Sequence, residues 1–413
     1  MDHVVVVGAS LAGLRAAETL RQGGFTGGIT MIGAEAHMPY DRPPLSKKLL
    51  AGDWEPDRIV LRKPEALAEL DLVWRLGVAA SGLDTQAKRV HLTDGTSETY
   101  DGLVIATGAS PVRLPGQPDV AGVHALRTLD DALALRAELV AGRKVVVIGA
   151  GFIGLEAAAT ARAAGCDVTV LEGLPAPLVR GLGPTMGQAI AAVHERHGVR
   201  VRCEVRVHSI EIDESGLEVS GVRLEGGEVL PADVVLVGVG VRPATAWLEG
   251  AEGIELRDGV VCDAALAAGP QGVVAAGDLV RWPNRAFGDP VSGEEMRVEH
   301  WTNAAEQGAA AARTLLAWAA GEEPSPYQAI PFFWSDQFDA RIQFLGRSSG
   351  EDDVEVAYGS VDDAKFVALY SRGGVLRGAL GVSSPRVLMP LRALLLERAS
   401  VDAARAQLAA AAT

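Results

Sequence analysis

The sequence is poor in cysteine and in positive charge. Its three cysteines, Cys166, Cys203 and Cys262, are widely spaced among 413 residues, so they form neither a disulfide framework nor a metal-ligand cluster, and we predict no metal site. The 38 Lys and Arg residues against 53 Asp and Glu give a formal net charge of −15. This excess of acid argues against nucleic acid or an anionic membrane as the main partner.

Long apolar runs are also missing. No run reaches the length of a membrane span, and the opening residues, MDHVVVVGAS, lack the basic region and the cleavage site of a signal peptide. The composition, 48% hydrophobic and 22% charged, is that of an ordinary globular protein. The length allows about two or three domains with real cores. We therefore predict a cytoplasmic, multidomain globular protein.

The most informative segment is residues 144–172, KVVVIGAGFIGLEAAATARAAGCDVTVLE. Its β-branched start predicts a buried parallel strand, and Gly149, Gly151 and Gly154 form the pattern G-x-G-x-x-G at the turn into a helix. The helix N-terminus would face a pyrophosphate. A second strand ends on Glu172, about 20 residues further on, where an acid binds a ribose 2′-OH and repels a 2′-phosphate. The segment predicts an NADH site.

The start of the chain repeats this pattern. A buried strand from His3 leads to Gly8, Ser10 and Gly13 at the three glycine positions, and Glu35 follows at the end of the next strand. Because Ser10 replaces the middle glycine, it slightly restricts the approach of a pyrophosphate. Two such segments in one chain predict two bound dinucleotides.

Three further strands end on small or acidic residues, as strands do where a ligand approaches the backbone. Residues 102–108 end on Thr107 and Gly108, residues 233–240 end on Gly240, and residues 272–277 lead to Asp278. Asp278 has two interpretations at this stage, a ligand-binding acid or a helix N-cap.

The remaining segments predict the connections and the last domain. Residues 37–48 contain three prolines and predict a stiff, extended loop. We expect loop and helix over 53–76, a hairpin over 90–100 and a helix over 304–320. From about residue 321, five strand-like runs precede a helical end, which is typical of a separate α+β domain.

These motifs together give a family resemblance. The two glycine loops, the ATG strand, the GD strand, the PYDRPPLSK loop and the WSDQ segment at 334–337 resemble the FAD-dependent, NADH-linked ferredoxin reductases of bacterial oxygenase systems. The resemblance covers nearly the whole chain. It implies an α/β fold with two Rossmann-like dinucleotide-binding domains of the glutathione reductase type and a C-terminal α+β domain. The implied divisions are 1–110 and 243–320 for FAD, 111–242 for NAD and 321–413 for the C-terminal domain.

The resemblance also implies the site residues. FAD would be held by Gly8, Ser10, Ala12, Gly13, Glu35, Arg42, Lys47, Val78, Thr107, Gly108, Arg127, Asp278 and Trp301. NADH would be held by Gly149, Gly151, Gly154, Glu172 and Gly240. Glu156 would lie near the nicotinamide and pair with Lys47 beside the flavin, which makes these two the catalytic candidates. Besides Ser10, the chain departs from many relatives at Ala34, which leaves the ribose contact to Glu35 alone.

The cysteines narrow the chemistry. Related flavoproteins that reduce disulfides carry a cysteine pair near the flavin, and here that loop reads Arg42-Pro-Pro-Leu-Ser. The resemblance therefore implies hydride transfer from NADH to FAD, then single electrons to a [2Fe–2S] ferredoxin that serves a cytochrome P450 or a Rieske-type oxygenase. Arg297, Arg341 and Arg347 are candidates for a local basic docking face.

Two other functions stay open at this point. An NADH oxidase or peroxidase would pass electrons to oxygen, but such enzymes usually carry a redox cysteine in the first domain. A redox-gated binding protein resembling apoptosis-inducing factor would bind nucleic acid through a basic surface and would carry a long insertion in its last domain. The net charge of −15 and the compact ending argue against the second function.

Overall fold

The computed structural model describes residues 1–411 and divides the chain into two compact units. Unit 1 comprises Met1–Asp41, Ile59–Ser110 and Arg242–Pro331, and unit 2 comprises Arg42–Arg58, Pro111–Val241 and the described residues from Phe332 onward. Within residues 1–411, none of the helices combines the length and the apolar character needed to cross a membrane.

The secondary structure alternates strands and helices in both units. The strands are β1 (His3–Val7), β2 (Gly28–Gly33), β3 (Val73–Leu76), β4 (Ala80–Asp84), β5 (Arg89–Leu92), β6 (Ser97–Thr99), β7 (Gly102–Ile105), β8 (Ala109–Pro111), β9 (Val123–His124), β10 (Lys144–Ile148), β11 (Asp167–Leu171), β12 (Arg200–Arg202), β13 (Val207–Ile212), β14 (Val219–Leu224), β15 (Val229–Pro231), β16 (Val234–Val237), β17 (Val241–Pro243), β18 (Val260–Val261), β19 (Val273–Ala275), β20 (Val280–Asp289), β21 (Gly293–Arg297), β22 (Phe332–Gln337), β23 (Ala340–Gly346), β24 (Asp353–Ser360), β25 (Lys365–Arg372) and β26 (Val375–Val382). The α-helices are α1 (Leu11–Gln22), α2 (Pro64–Ala68), α3 (Leu129–Glu138), α4 (Phe152–Ala163), α5 (Val179–Arg196, kinked at Gly183), α6 (Trp301–Ala320), α7 (Pro385–Leu388), α8 (Leu391–Leu396) and α9 (Val401–Ala411). Short 3₁₀ helices span Pro43–Ser46, Pro56–Ile59 and Ala246–Leu248.

Unit 1 is built on a five-stranded parallel sheet in the order β19-β7-β1-β2-β3. The central strand β1 is a run of valines that is almost fully buried, as its continuous β-branched sequence requires. Helices α1 and α6 pack against each other beside this sheet. Two smaller sheets, β4-β5-β6 and β18-β20-β21, complete the unit, and the first contains the predicted hairpin.

Unit 2 contains a second parallel sheet, in the order β12-β11-β10-β16-β9, and a five-stranded antiparallel sheet in the order β22-β23-β26-β25-β24. One hydrophobic core joins them, with Val147 and Leu155 from the first part and Phe344 and Tyr370 from the second. The Tyr370 hydroxyl donates a 2.7 Å hydrogen bond to the carbonyl oxygen of Leu182 in α5. These two sheets of unit 2 therefore share one hydrophobic core.

Three local predictions differ from the structure. The loop 37–48 is not extended throughout, because Pro43–Ser46 forms a 3₁₀ turn whose first positions tolerate proline. The stretch 53–76 includes the edge strand β3, whose half-exposed side chains leave a weak strand pattern. The hairpin β20–β21 was not predicted, because Pro283 and several charges interrupt its sequence.

The shared core of unit 2 gives a test of the fold. Phe344 is 2% exposed and its ring packs against Phe333 and Tyr370, so Phe344→Ala should lower the free energy of unfolding by about 3–5 kcal/mol. Val354 on the edge strand β24 is 37% exposed, and Val354→Ala should change stability by about 0.5 kcal/mol or less. Denaturant titration followed by circular dichroism measures both. Equal losses for the two variants would contradict the shared core.

Candidate active site

In unit 1 the chain turns from β1 into α1 under tight steric limits. Gly8 has φ +124°, and a β-carbon there would lie 2.1 Å from the carbonyl oxygen of Ala106. A β-carbon on Gly13 would lie 2.1 Å from the carbonyl oxygen of Gly8. These two glycines are required by close backbone packing alone.

The N-terminus of α1 suits an anion. Ser10 is the N-cap, its side chain makes no capping hydrogen bond, and the first turn of α1 contains no acidic residue. The first N–H groups of a helix lack intrahelical acceptors and attract phosphate. Ala12 in this first turn is a buried alanine and adds no charge to the helix N-terminus. The arrangement fits the pyrophosphate of a dinucleotide.

The predicted residues that follow β2, β3 and β7 also lie in unit 1. The Glu35 carboxylate accepts a hydrogen bond from the Tyr40 hydroxyl, and the N–H of Val78 donates to the carbonyl oxygen of Gly33 at 3.0 Å. The Thr107 hydroxyl donates to the carbonyl oxygen of Ala244 at 2.7 Å. Gly108, with φ +68°, accepts at its carbonyl oxygen from the N–H of Ala244 at 2.9 Å.

Asp278 is not a helix N-cap, since strand β20 begins two residues later. Its carbonyl oxygen accepts a 3.0 Å hydrogen bond from Nη1 of Arg297. The preceding turn is fixed by Gln307, a fully buried residue of α6 whose Oε1 accepts from the N–H of Gly277 at 2.9 Å. Trp301, the first residue of α6, donates from Nε1 to Oδ1 of Asp41 at 2.6 Å.

His300 precedes α6. Burial lowers the pKa of His300 to about 4, and the negative charge of Asp278 opposes that shift. The imidazole is therefore neutral at pH 7.

In unit 2 the second glycine turn is crowded by backbone atoms at its first and last glycines and has free space at its middle glycine. A β-carbon on Gly149 would lie 2.4 Å from the carbonyl oxygen of Gly238, and one on Gly154 would lie 2.3 Å from that of Gly149. At Gly151, the N-cap of α4, a β-carbon would have no heavy atom within 4 Å. Gly240, with φ +113°, is equally open. Space beside a helix N-terminus is what a pyrophosphate requires.

Glu172 is fixed beside this turn. Its Oε2 accepts from the N–H of Ala150 at 2.8 Å and its Oε1 accepts from the N–H of Leu174 at 3.0 Å. The carboxylate is thus held by backbone donors at the end of β11, the position from which an acid contacts a ribose.

The two catalytic candidates form an ion pair in unit 2. Nζ of Lys47 lies 2.7 Å from Oε2 of Glu156, and the Glu156 side chain is 2% exposed. Two hydroxyls also donate to this carboxylate, Ser46 to Oε2 and Ser335 to Oε1, each at 2.5 Å. A buried carboxylate with three donors is well compensated.

Arg42 and Arg127 meet in the same unit. Nη1 of Arg42 donates to the carbonyl oxygen of Arg127 at 2.5 Å. The N–H of Arg127 in turn donates to Oδ2 of Asp131, next to the Thr128 capping box of α3. The structure thus brings together two residues that are 85 positions apart in sequence.

The cysteines are positioned as structural residues. Cys166 and Cys262 are buried, and burial raises the pKa of both thiols. The pKa of Cys203 is also raised, first by burial and then by Glu172 and two other glutamates. Raised pKa values disfavour the reactive thiolate.

The docking candidate Arg297 has little exposed side chain. The Arg297 side chain is only 15% exposed, and it pairs with Asp258 and Glu299 in addition to its bond to Asp278. Arg341 is 54% exposed and lies 3.8 Å from Asp336, so it remains available to a partner.

Several important residues were not predicted, among them Ser46, Ser335, Tyr40 and Gln307. Ser46 and Ser335 fall inside the PPLSK and WSDQ motifs, and those motifs were the only signal for them. Gln307 gives no sequence signal, because a glutamine in an alanine-rich helix is ordinary.

Comparison with known proteins gives consistent results. The family profile described as pyridine nucleotide-disulphide oxidoreductase matches residues 2–308, and the one described as reductase C-terminal matches residues 332–412. Rhodocoxin reductase of Rhodococcus erythropolis is 36% identical, over 95% of this chain and 89% of that protein. The ferredoxin–NAD(+) reductase component of the anthranilate 1,2-dioxygenase system of Burkholderia cepacia is 40% identical, over 84% of this chain and 82% of that protein. The covalent putidaredoxin reductase–putidaredoxin complex is similar in structure, with a TM-score of 0.91, 31% identity and coverage of 99% and 98%.

The glycines of the second turn give a matched pair of variants. Gly154→Ala should lower stability, because its methyl group would collide with backbone, whereas Gly151→Ala should leave stability unchanged. Gly151→Ala should instead weaken dinucleotide binding about tenfold, since its methyl group fills the open space where phosphate would lie. Thermal unfolding and titration calorimetry with NADH separate the two effects. Normal NADH affinity in a folded Gly151→Ala variant would contradict the assignment.

Proposed function

Because the chain belongs to the pyridine nucleotide-disulphide oxidoreductase family, we propose that it is an NADH-dependent reductase that passes electrons through FAD to a [2Fe–2S] ferredoxin. Family membership confirms the resemblance and the fold class predicted from the sequence, and with them an oxidoreductase that uses FAD and NAD(H). The observation that carries the specific proposal is the ion pair between Lys47 and the buried carboxylate of Glu156, in a chain whose three cysteines are far apart in sequence and have raised thiol pKa values.

The residues that would hold FAD are those predicted from the sequence. They are Gly8, Ser10, Ala12, Gly13, Glu35, Arg42, Lys47, Val78, Thr107, Gly108, Arg127, Asp278 and Trp301. When bound, FAD accepts two electrons as a hydride and releases them singly, which is the conversion that a one-electron acceptor needs. NADH would bind at Gly149, Gly151, Gly154, Glu172 and Gly240.

Lys47 and Glu156 would act through charge and position. The carboxylate of Glu156 holds the Lys47 ammonium at 2.7 Å, and the carbonyl oxygen of Pro43 accepts a further 3.2 Å bond from it. A fixed positive charge stabilises negative charge that develops near it, without reorganisation during the reaction. We propose this role for Lys47, with Glu156 as its partner.

The acceptor follows from the relatives. One relative is a ferredoxin–NAD(+) reductase component of a dioxygenase system, and the similar structure joins a reductase to putidaredoxin. We extend this to a [2Fe–2S] ferredoxin for the present chain, with a cytochrome P450 or a Rieske-type oxygenase downstream. The domain divisions 1–110, 111–242, 243–320 and 321–413, and a cytoplasmic location close to the supply of NADH, are part of the same proposal.

The acceptor is testable directly. NADH-driven cytochrome c reduction by the FAD-loaded protein should rise strongly when a [2Fe–2S] ferredoxin is added, because the ferredoxin would take single electrons from FAD and pass them to cytochrome c. The assay measures cytochrome c absorbance with and without ferredoxin, alongside oxygen uptake. Rapid oxygen uptake with little dependence on ferredoxin would favour an oxidase instead. FAD reduction by NADH with no turnover would contradict the proposed acceptor.

The nucleotide preference is a separate prediction. The backbone-held carboxylate of Glu172 should favour NADH over NADPH by about tenfold or more in kcat/KM, because it repels a 2′-phosphate. Glu172→Gln removes the charge and should narrow this ratio. Glu204 is a nearby acid whose Gln variant serves as the control and should leave the ratio unchanged. A wild-type preference for NADPH would refute the assignment.

A further inference from the structure

A chain of buried polar side chains continues from the Lys47–Glu156 pair into the interior of unit 2. Ser335 donates to Oε1 of Glu156 at 2.5 Å, and Nε2 of Gln337 lies 3.0 Å from Oγ of Ser335. Oε1 of Gln337 lies 2.8 Å from Nε2 of His194 in α5. Ser335, Gln337 and His194 each have no solvent exposure. Four segments of the sequence therefore meet through one hydrogen-bonded line.

The direction of this line is fixed by the number of protons. Ser335 has one hydroxyl proton, and the carboxylate of Glu156 can only accept, so that proton goes to Glu156. Gln337 must then donate its amide N–H to Ser335, which leaves its oxygen facing His194. His194 must therefore carry its proton on Nε2. Every donor in the line points toward Glu156.

The surroundings of His194, at the end of the line away from Glu156, also favour a proton on Nε2. Nδ1 of His194 is buried and has no hydrogen-bond partner among the described residues. Burial lowers the pKa of His194, with only a partial opposing effect from the bond to Gln337. A proton on Nδ1 would be a buried donor without an acceptor, which is costly. His194 is thus held neutral and in one tautomer.

We propose that Ser335, Gln337 and His194 are positioning residues that orient the carboxylate of Glu156 and, through it, the ammonium of Lys47. This inference rests on the proposed function, because it assigns the line a role in hydride transfer from NADH. Oε2 of Glu156 binds Lys47 and Ser46, so Oε1 is the oxygen whose position Ser335 determines. If Ser335 lost its donor from Gln337, its hydroxyl could rotate away from Glu156, and the carboxylate could turn with it.

The chain offers a matched control for Gln337. Gln343 lies on the neighbouring strand β23, is 6% exposed, and is not hydrogen-bonded to the line; its Oε1 is buried without a partner among the described residues. Gln337→Met and Gln343→Met replace similarly buried amides in the same sheet by the same side chain. Only the first breaks the line to Glu156.

The test uses the FAD-loaded enzyme in rapid mixing with NADH. Gln337→Met should lower the limiting rate of flavin bleaching about tenfold while the NADH dissociation constant stays unchanged, and Gln343→Met should change neither. Ser335→Ala removes fewer atoms and should also lower the limiting rate of flavin bleaching. Circular dichroism checks that each variant is folded. Equal rates for Gln337→Met and Gln343→Met would overturn the positioning role.

A second readout does not depend on activity. Nitrogen-15 NMR of the imidazole reports its tautomer, and wild-type His194 should be neutral with its proton on Nε2. Gln337→Met should remove this preference, and Gln343→Met should keep it. A proton on Nδ1 in the wild type would overturn the proposal. Lys47→Ala tests the catalytic role of the ion pair separately from the positioning role of the line. A normal rate of flavin bleaching in Lys47→Ala would refute the catalytic role, and the positioning role with it.

Discussion

The buried carboxylate of Glu156 is the constraint on which much of unit 2 depends. A charged group that is 2% exposed is stable in a protein only if donors replace its lost water. Those donors come from the 3₁₀ turn at Pro43–Ser46, from Lys47 next to it, and from strand β22. The turn is also tied to α4 itself, because the hydroxyl of Thr160 donates to the carbonyl oxygen of Ser46 at 2.8 Å. The charge of Glu156 therefore connects the turn at Pro43–Ser46, helix α4 and the sheet that contains β22.

The two glycine turns share one backbone geometry. Gly8 and Gly149 have positive φ angles and face carbonyl oxygens of a neighbouring strand end, while Gly13 and Gly154 let each helix approach its own turn. These contacts are needed even without a ligand. Only the middle position differs, Ser10 in one turn and open Gly151 in the other. At Gly151, therefore, packing does not require a glycine.

Sequence reasoning worked where the physical cause is local. The β-branched runs of β1 and β10, the glycine turns after them and the hairpin at Asp94 all follow from neighbouring residues, and the structure contains each of them. It was less informative where the cause is distant. Strand β3 has a weak pattern of its own and is a strand because it pairs with β2. The bond from Ser335 to Glu156 spans 179 residues, so no local pattern could predict it.

The same distinction explains why the ion pair could be anticipated and its support could not. Lys47 and Glu156 lie in motifs shared by a family, so the resemblance implied their pairing. His194 lies in a helix without a recognisable motif. Only its burial and its hydrogen bond to Gln337 connect it to the ion pair. A neutral histidine, an amide and a hydroxyl are each unremarkable in sequence, but proton counting makes their order unique once they are aligned. The direction of hydrogen bonding toward Glu156 therefore exists only in the folded chain.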